Sequence, residues 1–109
     1  MKWLPQPDSW AELSVAAQDG VPGSTLTMYR DALALRRKTL TGNASLTWHD
    51  APDGVLVLDR GAAFRCTVNM SARPVPLGVP GEVLIASGPV KVEQGLAVIP
   101  PDTTIWWSL

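Results

Sequence analysis

The chain has 109 residues, 46% of them hydrophobic, with nine Lys or Arg against ten Asp or Glu and a formal net charge of −1. That length supports one hydrophobic core and is short for an independent enzyme, and a scattered, nearly balanced charge excludes a broad basic surface for nucleic acid or anionic lipid. The single cysteine, Cys66, excludes an internal disulfide; no charged leader precedes Pro5 and no stretch approaches the ~20 apolar residues of a bilayer span, so a soluble, cytoplasmic chain without nucleic-acid or membrane partners is expected. In that compartment the glycosylation patterns at Asn43-Ala44-Ser45 and Asn69-Met70-Ser71 are accidental matches.

Residues 1–23 contain Pro5, Pro7, Gly20, Pro22 and Gly23, which predicts short, irregular structure with Trp3, Leu4 and Trp10 as isolated apolar anchors. Asp8 or Ser9 is expected to cap a short turn through Ala11-Glu12-Leu13. From Ser24 to about Leu40 the spacing of Leu26, Tyr29, Leu33 and Leu40, widened by Met28, Ala32 and Leu35, predicts one amphipathic helix. Ser24 serves as its N-cap, Arg36-Arg37-Lys38 suit the negative end of its dipole, and Gly42 ends it. The basic run is a solvated helix end rather than a nucleic-acid contact.

After Asn43 the pattern changes to short apolar runs separated by Gly, Pro and Asp, the signature of antiparallel strands. Leu46 and Trp48 alternate with Thr47 and His49; Asp53-Gly54 turns into Val55-Leu56-Val57-Leu58, whose continuous apolarity predicts burial on both faces. Phe64, Cys66, Val68 and Met70 alternate with Arg65, Thr67 and Asn69, so the first set is expected on the apolar face and Cys66 in the core as an inert small hydrophobe. Further runs are 83–86, 90–92, 96–99 and 104–107, with Gln94-Gly95 as a hairpin turn and Pro74, Pro76, Pro80, Pro100 and Pro101 between runs or on edges. The expected fold is mainly β: a small antiparallel β-sandwich or partly closed barrel of about seven short strands, preceded by an irregular segment and one amphipathic helix. The composition shift divides the chain into 1–42 and 43–109.

No catalytic set emerges. His49 and Cys66 lie in different strands with no metal-ligand spacing, His49 reads as a surface residue, the serines lack a hydrolase elbow, and no Gly-rich loop leads into the helix. Retaining glycosidases need two carboxyl groups about 5 Å apart on a rigid frame, whereas Asp50, Asp53, Asp59, Glu82, Glu93 and Asp102 fall at turns, strand ends or solvent-facing positions. No cofactor or metal is expected. Five tryptophans are the unusual feature. Trp106 and Trp107 are adjacent in a strand and so must point to opposite faces, one into a core and the other toward an interface or a sugar.

Trp3-Leu4-Pro5-Gln6-Pro7, Ser14-Val15-Ala16-Ala17-Gln18, Ser24-Thr25-Leu26, Tyr29-Arg30 and Leu33-Ala34-Leu35-Arg36 occur in the order that leads into the last barrel helix of glycoside hydrolase family 13 α-glucosidases, which this chain resembles. Leu46-Thr47-Trp48, the run from Phe64 to Met70 and Pro100-Pro101-Asp102-Thr103 are similar to strands of the β-domain that follows in those enzymes. The family pattern has Val-Glu where this chain has Val15-Ala16. The resemblance implies a parent that hydrolyses α-glucosidic bonds with an aspartate nucleophile and a glutamate acid/base on upstream barrel strands, so no catalytic residue carries over to this chain.

Three readings follow. The chain is expected to be a non-catalytic C-terminal domain of an α-glucosidase that packs on a (β/α)8 barrel through Trp3, Trp10, Leu26, Tyr29 and Leu33, and that self-associates when alone. The alternative is a carbohydrate-binding module in which Trp48, Trp106 or Trp107 stacks on sugar. A third, a cupin-like metalloprotein, draws on Gly81, Gly95 and the proline before Asp102 but has only His49 to offer as an imidazole ligand.

Overall fold

A computed structural model describes residues 4–40, 42 and 45–109 of the chain, so Trp3 and the Asn43 glycosylation pattern lie outside the described residues. The chain forms two compact units, Met1–Ala34 and Leu35–Leu109.

The first unit opens with a 3-10 helix, Asp8–Leu13, followed by α1, Val15–Gln18, and by α2, Thr25–Thr39, within which the division at Ala34 falls. Pro7 rather than Asp8 or Ser9 sits at the head of the 3-10 helix, and no side chain caps it. Both residues are inside the element, where neither can act as the flanking acceptor. The capping role falls to Ser14, whose Oγ accepts from the Ala17 N–H at 3.2 Å and donates to the Ala11 carbonyl at 2.8 Å. Ser24 caps α2 as expected, its Oγ accepting from the Thr27 N–H at 3.2 Å. Gln18 ties these short elements together. Its Nε2 donates to the Leu13 carbonyl (2.8 Å), and its Oε1 accepts from the Leu26 N–H (3.0 Å), one of the donors a helix start leaves unpaired. Gly42, past the end of α2, has φ +80°, the left-handed conformation that ends helices.

Among the described residues the second unit contains eight strands: β1 (Leu46–His49), β2 (Val55–Arg60), β3 (Phe64–Asn69), β4 (Val75–Gly78), β5 (Glu82–Ala86), β6 (Lys91–Glu93), β7 (Leu96–Ile99) and β8 (Thr103–Ser108). They form two antiparallel sheets, one in the order β1-β2-β3-β8-β5 and one in the order β4-β7-β6, which makes a sandwich rather than a closed barrel. β4 is the strand the sequence pattern does not reveal. Pro76 lies inside it, and a strand with one neighbour accommodates a residue without an N–H. The Gln94-Gly95 turn has positive φ at both residues (52° and 77°), the requirement of the two-residue hairpin turn that matches strand twist.

The core between the sheets joins Ala97 and Ile99 of β7 to Ile105 and Trp107 of β8, with Val55, Val57 and Val75 as a second cluster. Its polar content corrects the expected facing of β3. Thr67 and Asn69 are buried, and the register pairs Arg65 with the core residue Trp107 and Thr67 with Ile105, so the Arg65, Thr67 and Asn69 face looks inward. Phe64, Cys66 and Val68 lie on the opposite face, and Met70 is exposed. Cys66 is therefore half-buried on the outer side, not in the inter-sheet core. Leu56 is likewise exposed, so β2 buries Val55 and Val57 rather than both of its faces.

Among the described residues the polar interior is fully partnered. The Trp107 indole N–H donates to Thr67 Oγ1 at 3.2 Å. Asn69 Nδ2 donates toward the carbonyls of Ile99 (2.9 Å), Arg73 (3.0 Å) and Pro100 (3.1 Å), and its Oδ1 accepts from the Ser71 N–H and hydroxyl. These partners lie where β3 leaves one sheet toward β4 and where β7 leaves the other toward β8, so one side chain fastens two crossovers between the sheets. With both faces of its amide committed, Asn69 is a structural residue rather than a glycosylation acceptor.

Candidate functional site

Two surfaces of the second unit and one of the first hold the residues singled out from the sequence. Between the sheets lies a cleft of about 350 Å³. On the five-stranded side it meets His49 of β1, Val57 of β2, Arg65 and Thr67 of β3, and Trp107 of β8; Leu77, Pro80 and Ile99 close the other side and Asp50 lies at its rim. Alternation in β1 and β3 places His49, Arg65 and Thr67 on the inward face, which is why three polar or charged groups reach an otherwise apolar space.

Asp59 organises the charged wall. Directly opposite Arg65 in the ladder, it accepts from Arg65 Nε at 2.6 Å and Nη2 at 3.0 Å, while its Oδ2 lies 2.8 Å from His49 Nε2. Its side chain is 13% exposed, against the solvent-facing strand end that the sequence predicts. β2 continues to Arg60, so Asp59 is an interior strand position rather than a terminus. The Arg65 hydrogen bond holds the Asp59 carboxyl down at about 2, with the His49 contact adding to it against the opposing effect of burial. The same pairing raises Arg65 further above its ordinary range. His49 is exposed, as the sequence predicts, and its ring lines the cleft in contact with Asp59. The sequence signal for this cluster is the register itself: once β2 and β3 pair with Asp59 opposite Arg65, an opposite-charge cross-strand pair follows.

The outer face of the five-stranded sheet carries one apolar row. The register aligns Trp48, Leu58, Cys66, Trp106 and Ile85 in one row across all five strands, because residues opposite one another share a face. Trp48 is 59% exposed, whereas Trp106 is half-buried and meets Phe64 edge-to-face with ring centroids 5.6 Å apart. Trp107 takes the opposite, inward side at 2% exposure, as adjacency in a strand requires. Burial pushes the Cys66 thiol up, the direction opposite to that of an activated nucleophile.

On the first unit, Trp10, Leu13 and Val15 are exposed. Of the predicted helix stripe, Leu26 is half-buried, but Tyr29 and Leu33 are 60% and 49% exposed. Leu13, Val15, Leu26 and Tyr29 line a shallow apolar groove of about 430 Å³. Among the described residues no three His, Cys, Asp or Glu side chains come together as a metal site, and no helix is long and apolar enough to cross a membrane.

A family model described as a domain of unknown function (DUF3459) matches residues 41–106. No curated protein matches the chain. Among solved structures, a mutant of MutB from crystals soaked with trehalulose is 20% identical, with a TM-score of 0.77, over 100% of this chain and 22% of its own. A second mutant of the trehalulose synthase MutB, in complex with Tris, is 22% identical with a TM-score of 0.75 over 98% of this chain and 22% of its own. The α-glucosyl transfer enzyme XgtA is 23% identical with a TM-score of 0.69 over 97% of this chain and 22% of its own. The chain therefore has their fold and spans under a quarter of their length.

Proposed function

Because the chain belongs to the DUF3459 family, C-terminal domains of α-amylase family (glycoside hydrolase family 13) enzymes, we propose that it is the non-catalytic C-terminal part of an α-glucosidase and stabilises a catalytic (β/α)8 barrel by packing on it. The observation that carries this reading is coverage: nearly all of the chain superimposes on 22% of each larger glucosyl-handling enzyme. The apolar side chains of the first unit support it. Trp10, Leu13, Val15, Tyr29 and Leu33 are exposed although the spacing of α2 is that of a helix with a buried stripe. Burying a side chain of that size is worth about 1.5–3 kcal/mol, so a few of them supply a stable interdomain contact.

The chain alone would hide the same surface by self-association. The test is to add it to the catalytic barrel of a family 13 α-glucosidase expressed without its own C-terminal β-domain. A saturable one-to-one complex in sedimentation velocity and a higher melting temperature of the barrel are expected, both lost on combining Tyr29→Ser and Leu33→Ser. No complex, or one indifferent to those substitutions, refutes the assignment. The chain by itself should not turn over a chromogenic α-glucoside.

A second reading, sugar binding on the outer sheet face, is favoured by the exposed indole of Trp48 in line with Trp106. Saturable fluorescence quenching by maltooligosaccharides that disappears with Trp48→Ala would support it.

A further inference from the structure

Among the described residues four strands end the two sheets, β1 and β5 on one and β4 and β6 on the other, and three of them carry features that oppose pairing with a further strand. Pro76 in β4 has no N–H to offer. β6 is three residues long and sets Lys91 and Glu93 on either side of Val92, and β5 is interrupted by an irregularity between Val83 and Ile85. β1 has none of these features. Its residues Leu46, Thr47, Trp48 and His49 include no proline, glycine, lysine or carboxylate, and all four are exposed. We propose that β1 is an interface strand through which two copies of this chain pair edge to edge, antiparallel, about a twofold axis at Thr47.

The hydrogen-bond phase of the sheet decides which groups β1 offers. Along an antiparallel ladder, residues bonded to the neighbouring strand alternate with residues whose N–H and C=O point away from it. The Gly61 N–H donates to the Ser45 carbonyl at 2.9 Å, and Thr47 lies opposite Asp59 and His49 opposite Val57, so Ser45, Thr47 and His49 form the bonded set. The N–H and C=O groups of Leu46 and Trp48 therefore point outward from the sheet edge. In β4 the Val79 N–H donates to the Gly95 carbonyl at 3.2 Å, which puts Pro76 among the outward residues and leaves that edge one donor short.

A second copy suits this edge because β1 is complementary to itself. A twofold axis normal to the sheet keeps like faces on the same side, and with Thr47 on the axis Leu46 of each copy lies opposite Trp48 of the other. Both residues have outward backbone groups, so each pair exchanges two main-chain bonds, four in all. On the outer face the exposed indole of Trp48 meets the exposed Leu46, an aromatic–aliphatic cross-strand pair that continues the row formed by Ile85, Trp106, Cys66, Leu58 and Trp48. On the inward face Ser45 lies opposite His49, so no like charges meet in the ladder.

Entropy favours the same occupant over a flexible peptide. Each β1 is already held extended by β2, so pairing orders no further backbone, whereas a disordered segment would lose its freedom on joining the sheet. Four residues on each side make a small contact of the weak, reversible class. Pairing uses up the β1 edge, and the proline, the bulge and the charges on the other edges halt growth at two copies. The barrel contact proposed above runs through Tyr29 and Leu33 and makes no use of β1.

The test is sedimentation equilibrium of the whole chain carrying Tyr29→Ser and Leu33→Ser, which removes self-association through the first unit, from about 10 µM to about 1 mM, the range a weak dimer requires. A monomer–dimer equilibrium with no larger species is expected. Adding Leu46→Pro removes two of the four bonds and should weaken the dimer about tenfold or more. The Leu46 N–H does not bond to β2, so the fold survives this change, as an unaltered urea midpoint verifies. Register is read by cross-linking in a Cys66→Ser background. Thr47→Cys brings two Cα atoms about 4.5 Å apart across the axis, within disulfide reach, whereas Ser45→Cys leaves them on the order of 14 Å apart. Thr47→Cys should therefore oxidise to a covalent dimer at least about tenfold faster than Ser45→Cys. The proposal is overturned by a chain that stays monomeric, by a dimer indifferent to Leu46→Pro, by equal cross-linking rates, or by Leu46 and Trp48 amides that gain exchange protection only when a barrel is added. Failure to dock on a barrel changes none of these readings, so the two proposals fail separately.

Discussion

Replacing Asn69 should damage the sandwich more than any other polar substitution in it. The side chain is fully buried, at 0% exposure, and an amide has two protons to donate and one carbonyl oxygen to accept with. Three carbonyls share the two protons, from Ile99, Arg73 and Pro100, and Ser71 supplies both bonds to Oδ1. At about 1 kcal/mol per bond, four bonds give about 4 kcal/mol; solvent reaching the Ser71 and Arg73 side reduces the expected loss for Asn69→Ala to about 3 kcal/mol. Urea unfolding followed by tryptophan fluorescence reads this directly: with a slope of about 1.5 kcal/mol/M, the midpoint falls by about 2 M. Asn69→Asp separates hydrogen bonding from shape. It keeps the acceptor and sets a carboxylate against three carbonyl oxygens, so burial and those dipoles raise its folded pKa above the unfolded value of about 3.9. Its stability deficit is therefore smallest below pH ~4 and widens as the pH rises through the folded pKa. An Asn69→Asp chain within 1 kcal/mol of the parent at pH 7, or one with no added pH dependence, would refute the clamp.

Other outcomes follow from the same structure. Asp59 is held at about 2 against an ordinary 3.8, so its pairing stabilises the fold above the unfolded pKa and is lost as the pH falls through the folded one; about 1 kcal/mol should disappear between pH ~4 and ~2, after allowance for solvent at the cleft, and Asp59→Asn should flatten that part of the stability curve. Gly81→Ala would place a Cβ 1.9 Å from the Ser108 carbonyl oxygen, a backbone atom that cannot swing aside, and should lower stability by more than about 2 kcal/mol in the same urea assay; a neutral effect would mean that the β5–β8 edge yields easily. Cys66, with its thiol pushed up by burial, should react with a thiol reagent at neutral pH at least about tenfold more slowly in the folded chain than in urea, and equal rates would contradict its packing beside Trp106.

The helix and the strands were legible where local chemistry decides them. Ser24, Gly42, Asp53-Gly54 and Gln94-Gly95 each impose a backbone conformation without help from distant residues, and each appears where the sequence puts it. β4 was not legible, because Pro74, Pro76 and Pro80 carry a turn signal and only the pairing with β7 makes the segment a strand. The apolar stripe of α2 was legible as spacing, although Tyr29 and Leu33 on it are exposed.

The facing of β3 shows what periodicity omits. Alternation establishes that Arg65, Thr67 and Asn69 share one side, and that a one-residue change of register would exchange the sides; it does not say which side meets the second sheet. Hydrophobicity favours Phe64, Cys66 and Val68, yet β8 decides the matter, since Trp107 and Ile105 occupy the core and their ladder partners are Arg65 and Thr67. Each inward polar residue then has a bonded partner: Thr67 serves the Trp107 indole, Asn69 joins two crossovers, and Arg65 is balanced by Asp59. The displaced apolar residues line the outer face, where Trp48 remains exposed. One choice of facing thus yields both a polar wall inside a cleft and an apolar row on the outer sheet face.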